Sequence, residues 1–131
     1  MDILKYVAKI ISNDSIINSL INNRIYNYEL TEVDDTSGPF IVLTPVYDKP
    51  SSYVSDKYLS ETYLLQIDVE TYNHQETIDI TKRIRYLMWQ KNMKQVSTEL
   101  DKYFEKTRRY VMSRRYKGIP KNQYYKGERV E

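Results

Sequence analysis

The stretch K-T-R-R-Y-V-M-S-R-R-Y-K-G, residues 106–118, concentrates the side chains most able to hold a partner. Guanidinium groups pair bidentately with phosphate or carboxylate, and tyrosine rings stack on bases or pack on apolar surface. The same two residue types dominate the energetic centres of protein interfaces. On an extended chain, Arg108 and Arg114 share a face with Tyr110, Met112 and Tyr116, whereas Arg109 and Arg115 point the other way. The candidate contact residues here are Arg108, Arg109, Arg114, Arg115, Tyr116 and Lys117. A second group, Asp48, Lys49, Tyr53, Asp56, Lys57 and Tyr58, lies in a Ser-rich segment from Asp48 to Ser60. At about 13 residues that segment reads as a long exposed loop, functional or mobile, able to reach a neighbour.

Catalytic chemistry has few residues to work with. Asp34 and Asp35 are adjacent, and Asp68 and Glu70 share one face of a strand, but acid-base work needs a pocket that shifts their ionisation. Asp34 and Asp35 sit in a polar turn. The single histidine, His74, stands at a predicted helix start, where it reads as a solvated first-turn residue. There are no cysteines, which excludes disulfides, thiolate metal sites and cysteine nucleophiles. The 3 glycines, at 38, 118 and 127, form no phosphate-cradling motif. The sequence therefore predicts no enzyme, no metal and no cofactor.

Charge is distributed unevenly along the 131 residues. Residues 1–80 carry 5 Lys/Arg against 13 Asp/Glu, or −8, while residues 81–131 carry 15 against 5, or +10. Three arrangements follow: halves that neutralise each other within one fold, an acidic patch docking the basic patch of the next subunit, or a basic face meeting nucleic acid. The 14 tyrosines supply amphipathic surface suited to interfaces as well as core.

The elements that position these residues are legible from periodicity. Ile3, Leu4, Val7, Ile10 and Ile11 form a helical stripe, and Asn13, Asp14 and Ser15 offer caps for a short helix carrying Ile16, Ile17, Leu20 and Ile21. Arg24 to Leu30 alternates as a strand, and Phe40 to Tyr47 is a β-branched run covered on both faces, with Pro45 demanding an edge or bulge. Tyr63 to Glu70 alternates most clearly. Asn73 and Glu76 open a helix over residues 75–91. Val96 to Leu100 and Arg108 to Lys117 follow as strands, paired through Asp101 to Thr107. The order predicts an α+β domain over residues 1–120, an antiparallel-rich sheet with helices on one face, and a polar tail over 121–131. No stretch has the apolar length of a membrane span, and no leader pattern opens the chain, which predicts a soluble product of the cytoplasm.

The opening amphipathic helix, S-I-I-N-S-L-I-N-N-R-I-Y, G-P-F-I-V-L-T-P-V-Y-D-K-P, Y-L-L-Q-I-D-V-E and R-R-Y-V-M-S-R-R-Y-K-G together resemble the tail terminator, or tail-completion, proteins of long-tailed phages of Gram-positive bacteria. The resemblance spans about residues 1–120 and is carried by structural rather than catalytic motifs. It implies a non-enzymatic α+β protein of the virion that assembles as a ring, commonly hexameric, on the last tail-tube ring. Such a ring stops tail polymerisation and presents a surface to the head connector, with DNA passing through the lumen without specific binding. Other small head-tail connector proteins share this size and style, and a stand-alone nucleic-acid module built on the Arg/Tyr strand is the competing reading.

Overall fold

A computed structural model describes residues 1–54 and 57–120, and for 51–54 and 57–60 the backbone alone. Asp2 caps α1 (Ile3–Ser12), its carboxylate accepting from the Leu4 and Lys5 amides. Asp14 caps α2 (Ser15–Ile21), which ends on Asn22 and Asn23 in the left-handed region that asparagine tolerates. The chain continues through β1 (Ile25–Asn27), β2 (Phe40–Val54), β3 (Lys57–Thr71), α3 (His74–Gln90), β4 (Met93–Phe104) and β5 (Arg109–Gly118). Asn73 caps α3, accepting from the Glu76 amide at 2.9 Å as the Asn-x-x-Glu spacing predicts.

The five strands form one sheet in the order β1-β2-β3-β5-β4, antiparallel except for the short parallel pair β1/β2. Register carries one row through Leu43, Ile67 and Arg114 and the adjacent row through Val42, Asp68 and Ser113. Side chains of the first parity meet the helices: Ile41, Leu43, Leu65, Ile67, Val69 and Tyr116 join Val7, Ile11, Ile17, Ile21, Ile80, Ile84 and Met88 in one core. The opposite face carries no helix. The predicted α+β class, with helices on one face, is the fold observed. Among the described residues no helix is long and apolar enough to cross a membrane.

Three boundaries differ from expectation. β1 stops at Asn27 because Tyr28 takes a φ of 69°, and its amide makes the last bond to β2, at the Leu43 carbonyl. β4 runs on to Phe104, so the reversal falls at residues 105–108, with Arg108 at φ 59°. Arg108 is therefore a turn residue and not part of the strand. The largest correction concerns Asp48 to Ser60, whose described residues are strand and not loop. β2 and β3 continue past the sheet as an antiparallel hairpin, pairing Lys49 with Thr62, Ser52 with Ser60 and Val54 with Lys57. Backbone bonding holds such a ribbon without an apolar face, so the polar sequence shows no alternation there. Pro45 sits at a β-bulge, beyond the part of β2 that β1 covers, where its missing donor costs no ladder bond.

Tyr116 is 1% exposed, its hydroxyl has no hydrogen-bond partner among the described residues, and burial pushes the phenol up to about 12. A raised folded value means that this group's stabilisation is intact below its unfolded value, about 10, and disappears as pH rises toward 12. Tyr116→Phe should leave stability at neutral pH unchanged or up to about 1 kcal/mol higher, and should remove that alkaline loss. Urea unfolding at about pH 7 and pH 11 measures both. A phenylalanine variant more than about 1 kcal/mol weaker at neutral pH would contradict the orphaned hydroxyl.

Candidate assembly surfaces

β5 lies between β3 and β4, and its arginines divide as the alternation predicts. Arg114 is on the helix side, 8% exposed, its Nη1 and Nη2 donating to the two Asp101 carboxylate oxygens at 2.6 and 3.1 Å. Nη1 also reaches the Leu100 and Ser113 carbonyls. This guanidinium is committed within the subunit, and reversing its charge would set a buried carboxylate beside Asp101. Arg114 therefore reports on folding. Tyr116 is likewise core.

On the helix-free face, Arg115 Nε donates to Gln66 Oε1 at 3.1 Å and lies 3.4 Å from Glu99 Oε1, while Gln66 Nε2 donates to Asp68 at 3.0 Å. Arg109 stacks over Phe40 and Tyr72, at 5.1 and 5.7 Å from the ring centres. Burial raises the neighbouring Glu70 carboxyl, and the charge of Arg109 opposes that rise. Lys49 and Lys117 bracket the Tyr47 ring at 4.7 and 6.0 Å. Arg108 stands exposed in the turn.

Asp48 lies at the root of the hairpin, near Glu61. Glu61 is 6% exposed; burial raises its carboxyl above the usual range, and the Asp48 carboxyl adds to the rise. Tyr53, Lys57 and Tyr58 are placed by backbone alone, and Asp56 and the tail over 121–131 lie outside the described residues. The structure thus divides the predicted residues between core, helix-free face, turn and hairpin and does not gather them into one site. The carboxylates weighed for catalysis do not converge either. Asp34 accepts from the Thr31 amide, Asp35 from Ser37, and Asp68 from Gln66. His74 stacks on Tyr110 at 5.1 Å. Among the described residues no group of three or more His, Asp or Glu could hold a metal. An open groove of about 620 Å³ between α1 and α3 is lined by Tyr6, Ile10 and Leu87 with Lys9 and Lys91 at its rim.

A further surface is the outward face of α3 with the start of β4. Lys82, Arg85, Tyr86, Trp89, Lys91 and Lys94 are all exposed, Trp89 at 61%. Lys94 lies 5.1 Å over the Trp89 ring and Arg83 lies 5.3 Å over Tyr86. Arg83 alone is spent, on Asp14; Lys82, Arg85, Lys91 and Lys94 have no ion-pair partner among the described residues. The signal was in the sequence, since 5 cations and no Asp or Glu fall between residues 80 and 98. Helical periodicity points to the buried stripe of α3 and not to its outer side.

The chain from Tyr28 to Asp35, between β1 and β2, is its acidic counterpart. Glu29 and Glu32 are exposed, Asp34 and Asp35 add two more carboxylates, and Val33 and Tyr28 stand at 91% and 64% exposure. The hydroxyl of Tyr72, whose ring lies under Arg109, donates to the Thr36 carbonyl of the same connection. The acidic connection leaves the sheet from β1, at one edge, whereas α3 packs over β3, β5 and β4.

No family model and no curated protein matches the chain by sequence. Among solved structures, a chain from the virion of a native gene transfer agent particle shares the fold. The match has a TM-score of 0.65 at 10% identity and covers 87% of this chain and 90% of that one. At that identity the likeness is one of fold.

Proposed function

We propose that this protein is a non-enzymatic virion component, a tail terminator that forms a hexameric ring on the end of the tail tube.

 It would stop tail polymerisation there and present a surface to the head connector proteins. The observation that carries this reading is the fold shared across nearly the full length with a chain of a gene transfer agent virion. Three features support it. The sequence segments resemble tail-completion proteins. The described residues expose charged and aromatic contact surface, with Trp89 and Val33 at its centres. An acidic and a basic surface on one subunit, unpaired with each other among the described residues, suit a heterologous contact that closes on itself. Filled heads and the tail tube would meet this protein at the head-tail junction of the virion.

Removing the protein from the phage genome that encodes it should leave DNA-filled heads and tails unjoined, with tails of irregular length. Antibody labelling should mark the head-proximal end of the tail in complete particles. Joined particles of normal tail length in its absence, or label on the head shell or tail tip, would overturn the proposal.

A further inference from the structure

We propose that the outward face of α3 is the docking surface for a second copy of this chain, and that its occupant is the acidic connection from Tyr28 to Asp35. The inference rests on the ring reading and names the two surfaces that would close it. Between residues 82 and 94 the α3 surface carries Lys82, Arg83, Arg85, Lys91 and Lys94 and no acid, with only Arg83 neutralised inside the subunit. The connection carries Glu29, Glu32, Asp34 and Asp35 and no cation between residues 28 and 35. Asp35 lies 3.7 Å from Arg24, but Glu29 and Glu32 have no ion-pair partner among the described residues.

Apolar surface accompanies charge on both sides. Trp89 and Tyr86 are exposed on the helix, and Val33 and Tyr28 on the connection. Desolvated aromatic anchors within a charged rim are the usual anatomy of a specific contact. The two surfaces do not meet within one subunit: among the described residues Lys82, Arg85, Lys91 and Lys94 form no ion pair with Glu29 or Glu32. The contact is head-to-tail, and repetition of such a contact generates a ring when its rotation closes. Duplex DNA is the other polyanion that a basic helix could meet, but it would not engage the acidic connection. The presence of a matching acidic and apolar surface on the same chain favours a second copy.

The test is a charge exchange on full-length protein. Lys82→Glu with Arg85→Glu reverses two exposed side chains on the outer surface of α3, and Glu29→Lys with Glu32→Lys reverses two on the connection. Circular dichroism and urea unfolding verify that each variant stays folded. Sedimentation and the emission of the single tryptophan, Trp89, follow association. Each pair alone should weaken self-association about tenfold or more and abolish the blue shift of Trp89 on assembly, and the four changes together should restore both. Raised salt should weaken wild-type association in parallel.

Wild-type rings that persist unchanged in both pairwise variants would overturn this inference and leave the ring reading standing. Wild type that stays monomeric at every concentration would overturn both. A helix variant that loses salt-dependent affinity for a short duplex DNA while assembling normally would assign the face to nucleic acid instead. Two pairwise variants that each fail to associate, with no recovery in the fourfold variant, would show that the surfaces do not meet each other.

Discussion

Replacing Gly118 with alanine should destabilise the domain by about 3 kcal/mol, the upper end of what forced overpacking usually costs. Gly118 lies opposite both Tyr63 in β3 and Met93 in β4, at the point where the chain leaving α3 enters the sheet. A Cβ there would collide with the Asn92 carbonyl oxygen and come to 3.0 Å from the Asn92 carbonyl carbon and 3.2 Å from Met93 Cα. All three are backbone atoms, and backbone cannot rotate aside as a side chain can. Asn92 is itself held at φ 63°, with its side-chain Nδ2 donating to the Ile119 carbonyl at 3.0 Å. Relief would require β4 and β5 to part where the α3–β4 junction is anchored.

Gly38 provides the internal comparison. A Cβ at Gly38 would meet the far end of the Arg24 side chain, which can swing away. Gly38→Ala should therefore cost about 1 kcal/mol or less, through weaker hydrogen bonds from Arg24 to Pro39 and Leu20. Urea midpoints at constant slope measure the difference, and equal costs for the two alanines would refute the steric account.

Asp14→Ala should cost about 2 kcal/mol, because one carboxylate does two jobs. Asp14 Oδ2 accepts from the Ile17 amide at 3.1 Å and caps α2, while Arg83 on α3 grips the same carboxylate, Nη2 to Oδ1 at 2.7 Å and Nε to both oxygens at 3.2 Å. The Asp14 side chain is 8% exposed and that of Arg83 32%, so the guanidinium can turn partly to water when its partner is lost. That partial exposure limits the share of the ion pair to roughly 1 kcal/mol, beside a similar share for the cap. Asp14→Asn keeps a capping oxygen and removes the charge, so it should cost about half as much as alanine.

The pH dependence separates the two contributions. The hydrogen bond from Arg83 holds the Asp14 carboxyl below its ordinary value, more than offsetting the rise caused by burial. A lowered folded value contributes stability that is present above the unfolded value, about 3.9, and is lost as pH falls through the folded one. The gap between wild type and Asp14→Asn should therefore close as pH drops from about 5 toward 2. A gap that stays constant with pH would mean that the ion pair contributes nothing and that the cap carries the effect.

How far the sequence could be read is clearest from pairs of neighbouring residues. Ile17 and Ile21 on α2, and Ile80, Ile84 and Met88 on α3, announce their buried faces because a helix repeats every 3.6 residues. Asp14, Asn73 and the two asparagines after Ile21 mark ends for equally local reasons, since capping and left-handed backbone involve atoms a few residues apart. Strand parity assigned Arg109 and Arg115 to one face and Arg114 to the other before any partner was known. The absence of cysteine and the two-ended charge were likewise properties of the sequence alone.

Tertiary structure decided which of those charged groups remain available to a partner. Arg114 looked like contact surface until the β4–β5 register set Asp101 beside it, and Arg83 is joined to Asp14 across 69 positions of chain. The hairpin beyond Asp48 is held by backbone pairing between polar segments, which leaves no side-chain periodicity to detect. The cationic side of α3 becomes a surface only because the opposite stripe packs on the sheet and turns Lys82, Arg85 and Trp89 outward. Local geometry repeats over a few residues and so is written in the spacing of the sequence. Which charge is spent and which is left free depends on the register and packing of segments far apart in the chain, and those are settled when the sheet and helices close on one core.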